Sequence, residues 1–165
     1  MGSGKTSIGK KLSKLMSFDF IDTDALIEEK TGADISTIFE HEGEAGFRNR
    51  ESKILEEIMS CKSTIVGTGG GIILSKINRE IIINMGFVVY LTASIKELVY
   101  RTEYDKNRPL INNGNAEDKI TNILKEREEY YENTSNARIS TDNYDTVKLS
   151  KIIIKKYEKY EKNNC

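Results

Sequence analysis

The sequence predicts an α/β fold, a parallel sheet with helices on both faces. Three observations lead there. Short continuous apolar runs stand at Thr64-Ile65-Val66-Gly67 and Phe87-Val88-Val89-Tyr90-Leu91, as in strands buried on both sides. Apolar residues at helical spacing fill stretches between such runs. The two patterns alternate along the chain, and that alternation is the mark of a parallel sheet. A chain of 165 residues suits one domain, 1–165, with its own core.

The elements follow in order. Ile8, Leu12, Leu15 and Met16 fall on one face of a first helix. Phe18-Asp19-Phe20-Ile21-Asp22 reads as a strand, and the runs at 64–67 and 87–91 as two more. Ile95, Leu98 and Val99 repeat the helical spacing, as do Ile120, Ile123 and Leu124. Arg138-Ile139-Ser140 is a weaker run that suits an edge strand. Val147, Ile153, Ile154 and Tyr157 give the last helix its inner face. Between Lys106 and Asn115 the periodicity breaks. This stretch holds the only proline, Pro109, with Gly114 and four asparagines, and it predicts a mobile loop, a candidate lid over about 106–115.

Composition narrows the function. The formal net charge is −1, with 38% hydrophobic and 31% charged residues, as in a soluble globular protein. A basic surplus or stripe is missing, so no nucleic-acid partner is expected. No apolar run is long enough to span a bilayer, and Gly2 to Lys14 is too polar for a signal peptide. A cytoplasmic protein without membrane partners is the expectation. Cys61 and Cys165 show no metal spacing and read as unrelated thiols. His41, between Glu40 and Glu42, reads as a surface residue.

Chemistry begins at the first helix. Gly2-Ser3-Gly4-Lys5-Thr6 matches the second half of the phosphate-binding loop G-x-x-x-x-G-K-S/T. Glycines let backbone N–H groups approach phosphate oxygens, and the helix N-terminus adds donors and a positive dipole end. Lys5 can reach the β- and γ-phosphates, the Thr6 hydroxyl can ligate Mg2+, and Ser7 follows in the first turn. An ordinary glycine-rich helix start is the plainer alternative; the Lys-Thr pair and the amphipathic helix behind it weigh against it. The pattern's first glycine would precede Met1, as would the strand that feeds such a loop, so about ten further upstream residues are expected.

The acceptor side is drawn from three features. Asp22 and Asp24 stand at a strand end, and a spacing of two points strand side chains to one face. One carboxylate can hold magnesium through water and the other can accept from a substrate hydroxyl; a helix N-cap pair is the alternative. Gly69-Gly70-Gly71 after a buried strand marks a tight backbone path or a close ligand, with a flexible loop as the alternative. Among the arginines, Arg48 sits three residues before Glu51, a pairing that fixes a guanidinium on a helix. Arg108 lies in the candidate lid, where it can neutralise a transferring phosphoryl group.

Together these pieces resemble the shikimate kinase family, relatives of the nucleoside monophosphate kinases with a P-loop NTPase-type sheet. The matching residues are Met-Gly-Ser-Gly-Lys-Thr at 1–6, Phe-Ile-Asp-Thr-Asp at 20–24, Ile-Phe at 38–39, Gly-Glu at 43–44, Phe47-Arg48 with Glu51, Gly-Thr-Gly-Gly-Gly at 67–71, Arg101, Arg108-Pro109-Leu110, and Glu126-Arg127 with Tyr131. The resemblance runs through nearly the whole chain, although Ser135 stands where the family usually has alanine. It implies that ATP and shikimate give ADP and shikimate 3-phosphate. It implies an ATP site at Gly2, Ser3, Gly4, Lys5, Thr6, Ser7, Arg101 and Arg108, with Arg101 near adenine and 141–146 closing on it. It implies magnesium at Thr6 and Asp22, and an acceptor site at Asp24, Arg48, Gly69, Gly70, Gly71 and Arg127. Arg48 and Arg127 would bind the carboxylate, Asp24 and Gly70 the ring hydroxyls. Lys5, Asp24 and Arg108 would be catalytic, in a monomer. The alternatives are a kinase of the same fold acting on gluconate or a nucleoside monophosphate, and a nucleotide-binding module without catalysis.

Overall fold

The computed structural model describes residues 2–103, 116–143 and 145–164. The candidate lid and Arg108 lie outside the described residues. Helix α1 (Lys5–Met16) leads to strand β1 (Asp19–Asp22), then helices α2 (Thr23–Thr31) and α3 (Ile35–Ile58). Strand β2 (Thr64–Gly67) runs into a short 3-10 helix (Gly70–Leu74) and α4 (Lys76–Met85). Strand β3 (Val89–Thr92) precedes α5 (Ile95–Glu103), and α6 (Ala116–Thr134) precedes strand β4 (Ala137–Ser140) and α7 (Thr146–Asn164).

The strands pair in parallel, as expected from the alternating pattern. Strand β1 pairs with β2, Asp19 opposite Thr64 through Asp22 opposite Gly67. Strand β3 pairs with β4, Val89 opposite Ala137 through Thr92 opposite Ser140. These are two two-stranded ladders, where the sequence predicted one sheet. A cavity of about 170 Å³ is lined by β3 and by Thr68, Gly69 and Gly70 just past β2. Beside that opening a second difference appears: β3 is half-buried along its length, and β2 is half-buried from Thr64 to Val66 with only Gly67 buried, where both were expected to be fully enclosed.

Helices cover both faces of the strands. Consecutive strand residues point to opposite sides, and here Val66 joins one core while Ile65 joins the other. The first core gathers Ile27, Ile38, Phe47, Ile54, Leu55 and Ile58 from α2 and α3, with Ile72. The second gathers Ile8 and Leu12 from α1, Ile139 from β4, and Leu149 and Ile153 from α7. The periodic residues of α1 and α7 thus face inward with two exceptions. Leu15 and Val147 are exposed, and Leu149 takes the inner place in the first turn of α7.

One irregularity shapes the site. Helix α3 is broken at Gly43 (φ 68°, ψ −177°), a backbone conformation that suits a residue without Cβ. The break lets residues on both halves line one cavity: Ile35 and Phe39 before it, Phe47, Arg48 and Glu51 after it.

Candidate active site

At the start of α1 the backbone is built for an anion. Gly2 and Gly4 take left-handed conformations, φ 64° and 83°. Gly4 is the N-cap of α1 and offers no side-chain hydrogen bond, and the first turn holds no acidic residue. The first-turn N–H groups therefore keep a free donor face at the positive end of the helix. Lys5 borders both this end and the neighbouring acceptor cavity.

Thr6 and Asp22 meet here. The Thr6 hydroxyl donates to Asp22 Oδ2 at 2.8 Å. Asp22 Oδ1 accepts from the backbone N–H groups of Asp24 and Ala25 at 3.2 and 3.5 Å, which caps α2. This corrects the local geometry expected from sequence. The strand ends at Asp22, and its cap starts the helix at Thr23, so Asp24 stands in the first turn of α2 and not on the strand. Asp24 nonetheless lines the acceptor cavity. Thr6 and Asp22 supply two converging oxygens, which fits a hard cation such as Mg2+. Among the described residues no group of three or more His, Cys, Asp or Glu side chains gathers for a metal. Such a cation would therefore be completed by phosphate oxygens and water, as Mg2+ commonly is.

The acceptor cavity, about 300 Å³, brings together Asp24, Arg48, Glu51, Gly69 to Gly71, Arg127 and Tyr131. Arg48 is held from two sides. Its Nη1 pairs with Glu51 Oε2, the expected i, i+3 contact. Its Nη2 and Nε donate to Glu44 Oε1 at 2.8 and 3.2 Å. The triple glycine is explained by what lies opposite. A Cβ at Gly71 would stand 2.2 Å from both terminal nitrogens of Arg48. A Cβ at Gly69 would stand 2.7 Å from Asp24 Oδ1 and 2.8 Å from Glu51 Oε1. The glycines bring the backbone against charged groups, as the close-approach reading expected.

Glu51 is completely buried. Burial pushes its carboxyl up to about 7, and the charge of Asp24 adds to the rise, while Arg48 and Arg127 pull it down. Its Oε1 has no hydrogen-bond partner among the described residues, and neither has the buried Nε of Arg127. Residues lining this cavity thus hold one unfilled acceptor and one unfilled donor.

Arg101 lies on α5, against the start of α1. Its guanidinium donates to Gly2 O at 3.0 Å, Thr141 Oγ1 at 2.9 Å, Thr141 O at 3.1 Å and Glu97 Oε1 at 2.8 Å. It ties α5, the phosphate loop and the turn after β4 together. Sequence reasoning gave no part to Thr141 in this tie, to the hold of Glu44 on Arg48, or to the hydroxyl of Tyr131. A tyrosine four residues past Arg127 on a helix was the available signal for the last.

A family profile described as Shikimate kinase matches residues 1–158. The chain is 41% identical over 142 residues to the shikimate kinase of Actinobacillus pleuropneumoniae serotype 5b, covering 86% of this chain and 82% of that one. It is 39% identical over 161 residues to the shikimate kinase of Nitrosococcus oceani, covering 98% and 85%. Among solved structures it is similar to shikimate kinase from Acinetobacter baumannii in complex with shikimate. The TM-score there is 0.91 at 42% identity, over 94% of this chain and 87% of that one. Shikimate kinase from Bacteroides thetaiotaomicron gives a TM-score of 0.85 at 26% identity, over 96% and 94%. With the profile spanning nearly its whole length, the chain belongs to the shikimate kinase family.

Proposed function

We propose that this chain transfers the γ-phosphoryl group of ATP to the 3-hydroxyl of shikimate, giving ADP and shikimate 3-phosphate. The observation that carries the acceptor side is the pair of buried, unfilled groups, Arg127 Nε and Glu51 Oε1, facing one cavity beside Arg48 and Asp24. Buried polar groups are almost always satisfied, so the cavity suits a ligand that both accepts and donates hydrogen bonds. A hydroxylated carboxylate does both. Arg48 and Arg127 suit its carboxylate, and the backbone of Gly69 to Gly71 its ring hydroxyls.

The phosphates of ATP rest on the first turn of α1, with Lys5 reaching the β- and γ-groups. Asp24 takes the proton of the attacking hydroxyl as its oxygen bonds to the γ-phosphorus. The bond from that phosphorus to the bridging oxygen breaks, and ADP leaves with its electron pair. Thr6 and Asp22 would hold Mg2+, whose charge would offset that of the phosphates. Arg108 would neutralise charge on the transferring group. A single chain in the cytoplasm is taken as the working unit.

The test is ADP release coupled to a chromogenic reaction, with shikimate, gluconate or CMP as acceptor. Turnover with shikimate and background with the others is expected. Faster turnover with gluconate or CMP overturns the acceptor assignment. ATP binding without turnover on any of the three would make the chain a nucleotide-binding module.

A further inference from the structure

Tyr131 sits on α6, one turn past Arg127. Its hydroxyl donates to the carbonyl oxygen of Gly70 at 2.7 Å. The charge of the Arg127 guanidinium acts on the same phenol and opposes the rise from burial. Burial raises the pKa of Tyr131, which keeps that proton in place. The ring itself is stacked on Tyr90 of β3, centroids 4.8 Å apart and planes 24° apart. Ring and hydroxyl therefore do separate things. The stack fills space between α6 and β3, and the hydroxyl joins two parts of the acceptor cavity that come from distant stretches of chain.

Those two parts are the ones a rigid acceptor has to touch together. Arg127 is buried on α6 with Nε unfilled. Gly70 opens the 3-10 helix after β2. Holding the Gly70 carbonyl fixes the plane of the peptide to Gly71, so the Gly71 N–H points away from Tyr131, because the peptide is planar and trans. Without the hydroxyl the guanidinium loses a polar neighbour and the peptide plane loses its anchor. A ring ligand cannot adapt to both shifts at once, so the loss falls on acceptor affinity.

We propose that Tyr131 is a positioning residue of the acceptor site, whose hydroxyl sets Arg127 and the Gly70–Gly71 peptide in one fixed relation. This role rests on shikimate as the acceptor. The decisive variant is Tyr131→Phe, which keeps the ring and its stack and removes only the hydroxyl. Shikimate binding, measured by calorimetry without nucleotide, is expected to weaken roughly tenfold, the scale of one hydrogen bond to a charged group. The KM for ATP and the cooperativity of thermal unfolding stay as in wild type. Tyr90→Phe, which preserves the stack, changes neither.

A second measurement separates positioning from plain packing. In an Arg127→Lys background the guanidinium is already gone, so adding Tyr131→Phe is expected to cost much less than it does alone. Full additivity of the two substitutions overturns the proposal. So does shikimate affinity within about twofold of wild type in Tyr131→Phe, equal losses for shikimate and ATP, or loss of cooperative unfolding. A wild-type chain that turns over no shikimate brings down the acceptor assignment, and this role with it. A wild type that turns over shikimate while Tyr131→Phe binds it normally brings down the role of Tyr131 alone.

Discussion

Replacing Gly71 by alanine is expected to damage acceptor binding through Arg48, a residue 23 positions away in sequence. The new Cβ would stand 2.2 Å from Nη1 and Nη2 of Arg48 and 2.3 Å from Cζ, against 3.4 Å or more for ordinary contact. The guanidinium has to retreat by roughly 1.2 Å, the difference between those distances. It cannot do so freely, since Glu51 holds it on one side and Glu44 on the other. Retreat lengthens the contact to Glu51, which is buried and has no water to replace it. A hydrogen bond to a charged group contributes about 1.5–3 kcal/mol, so shikimate affinity is expected to fall roughly 10- to 150-fold. The assay is calorimetric titration of Gly71→Ala with shikimate, beside titration with an ATP analogue. Nucleotide affinity is expected to hold, because the atoms nearest the new methyl all belong to Arg48 and none to the first turn of α1. Shikimate affinity equal to wild type would show that Arg48 is not fixed as described and would refute the reasoning.

Four further outcomes follow from the same geometry. Lys5→Met is expected to abolish phosphoryl transfer with little change in melting temperature, because its charge serves the phosphates and not the core; turnover within a few-fold of wild type would overturn the phosphate-loop assignment. Asp22→Asn keeps an oxygen to cap α2 but removes the charge facing Thr6, so stability should hold while the magnesium concentration for half-maximal rate rises; an unchanged magnesium curve counts against the metal assignment. Thr141→Val deletes an acceptor for Arg101 at nearly constant volume, and the KM for ATP is expected to rise roughly tenfold with shikimate binding unaffected; equal effects on both substrates would place the Arg101 tie outside the nucleotide site. Glu51 carries a pH prediction. Its folded carboxyl is raised by burial to about 7 from an unfolded 4.5, so the folded state binds the proton more tightly. Its contribution, about 3 kcal/mol at most, is full below pH about 4.5 and lost as pH rises through about 7. Urea denaturation across that window should slope downward in wild type and less so in Glu51→Gln; parallel slopes would remove Glu51 as the cause.

What the sequence disclosed and what it hid divide along a physical line. Patterns set by local chemistry were legible. A phosphate loop needs glycine, lysine and a hydroxyl residue within one turn, and Gly2 to Thr6 stand where such a turn forms. Parallel pairing was legible from strands alternating with helices, and β2 runs Thr64–Gly67 as read. The pair Arg48–Glu51 was legible because helical spacing alone brings it together. Asp24 lines one cavity with Arg48 and Gly69 to Gly71 by a route the sequence did not show: the side chain of Asp22, by capping α2, turned the chain into a helix before the strand could continue.

The hidden part depends on tertiary approach. Nothing local in Gly69-Gly70-Gly71 tells that Asp24, Glu51 and Arg48 crowd against it, because those residues arrive from α2 and from beyond the break in α3. The consequence reaches past this triplet. A glycine run chosen for flexibility would tolerate alanine, whereas one chosen for close approach loses a ligand site when a single methyl is added. Gly71 therefore matters to the cavity although it has no side chain to offer. Its contribution is the space in which the Arg48 guanidinium is held between Glu44 and Glu51.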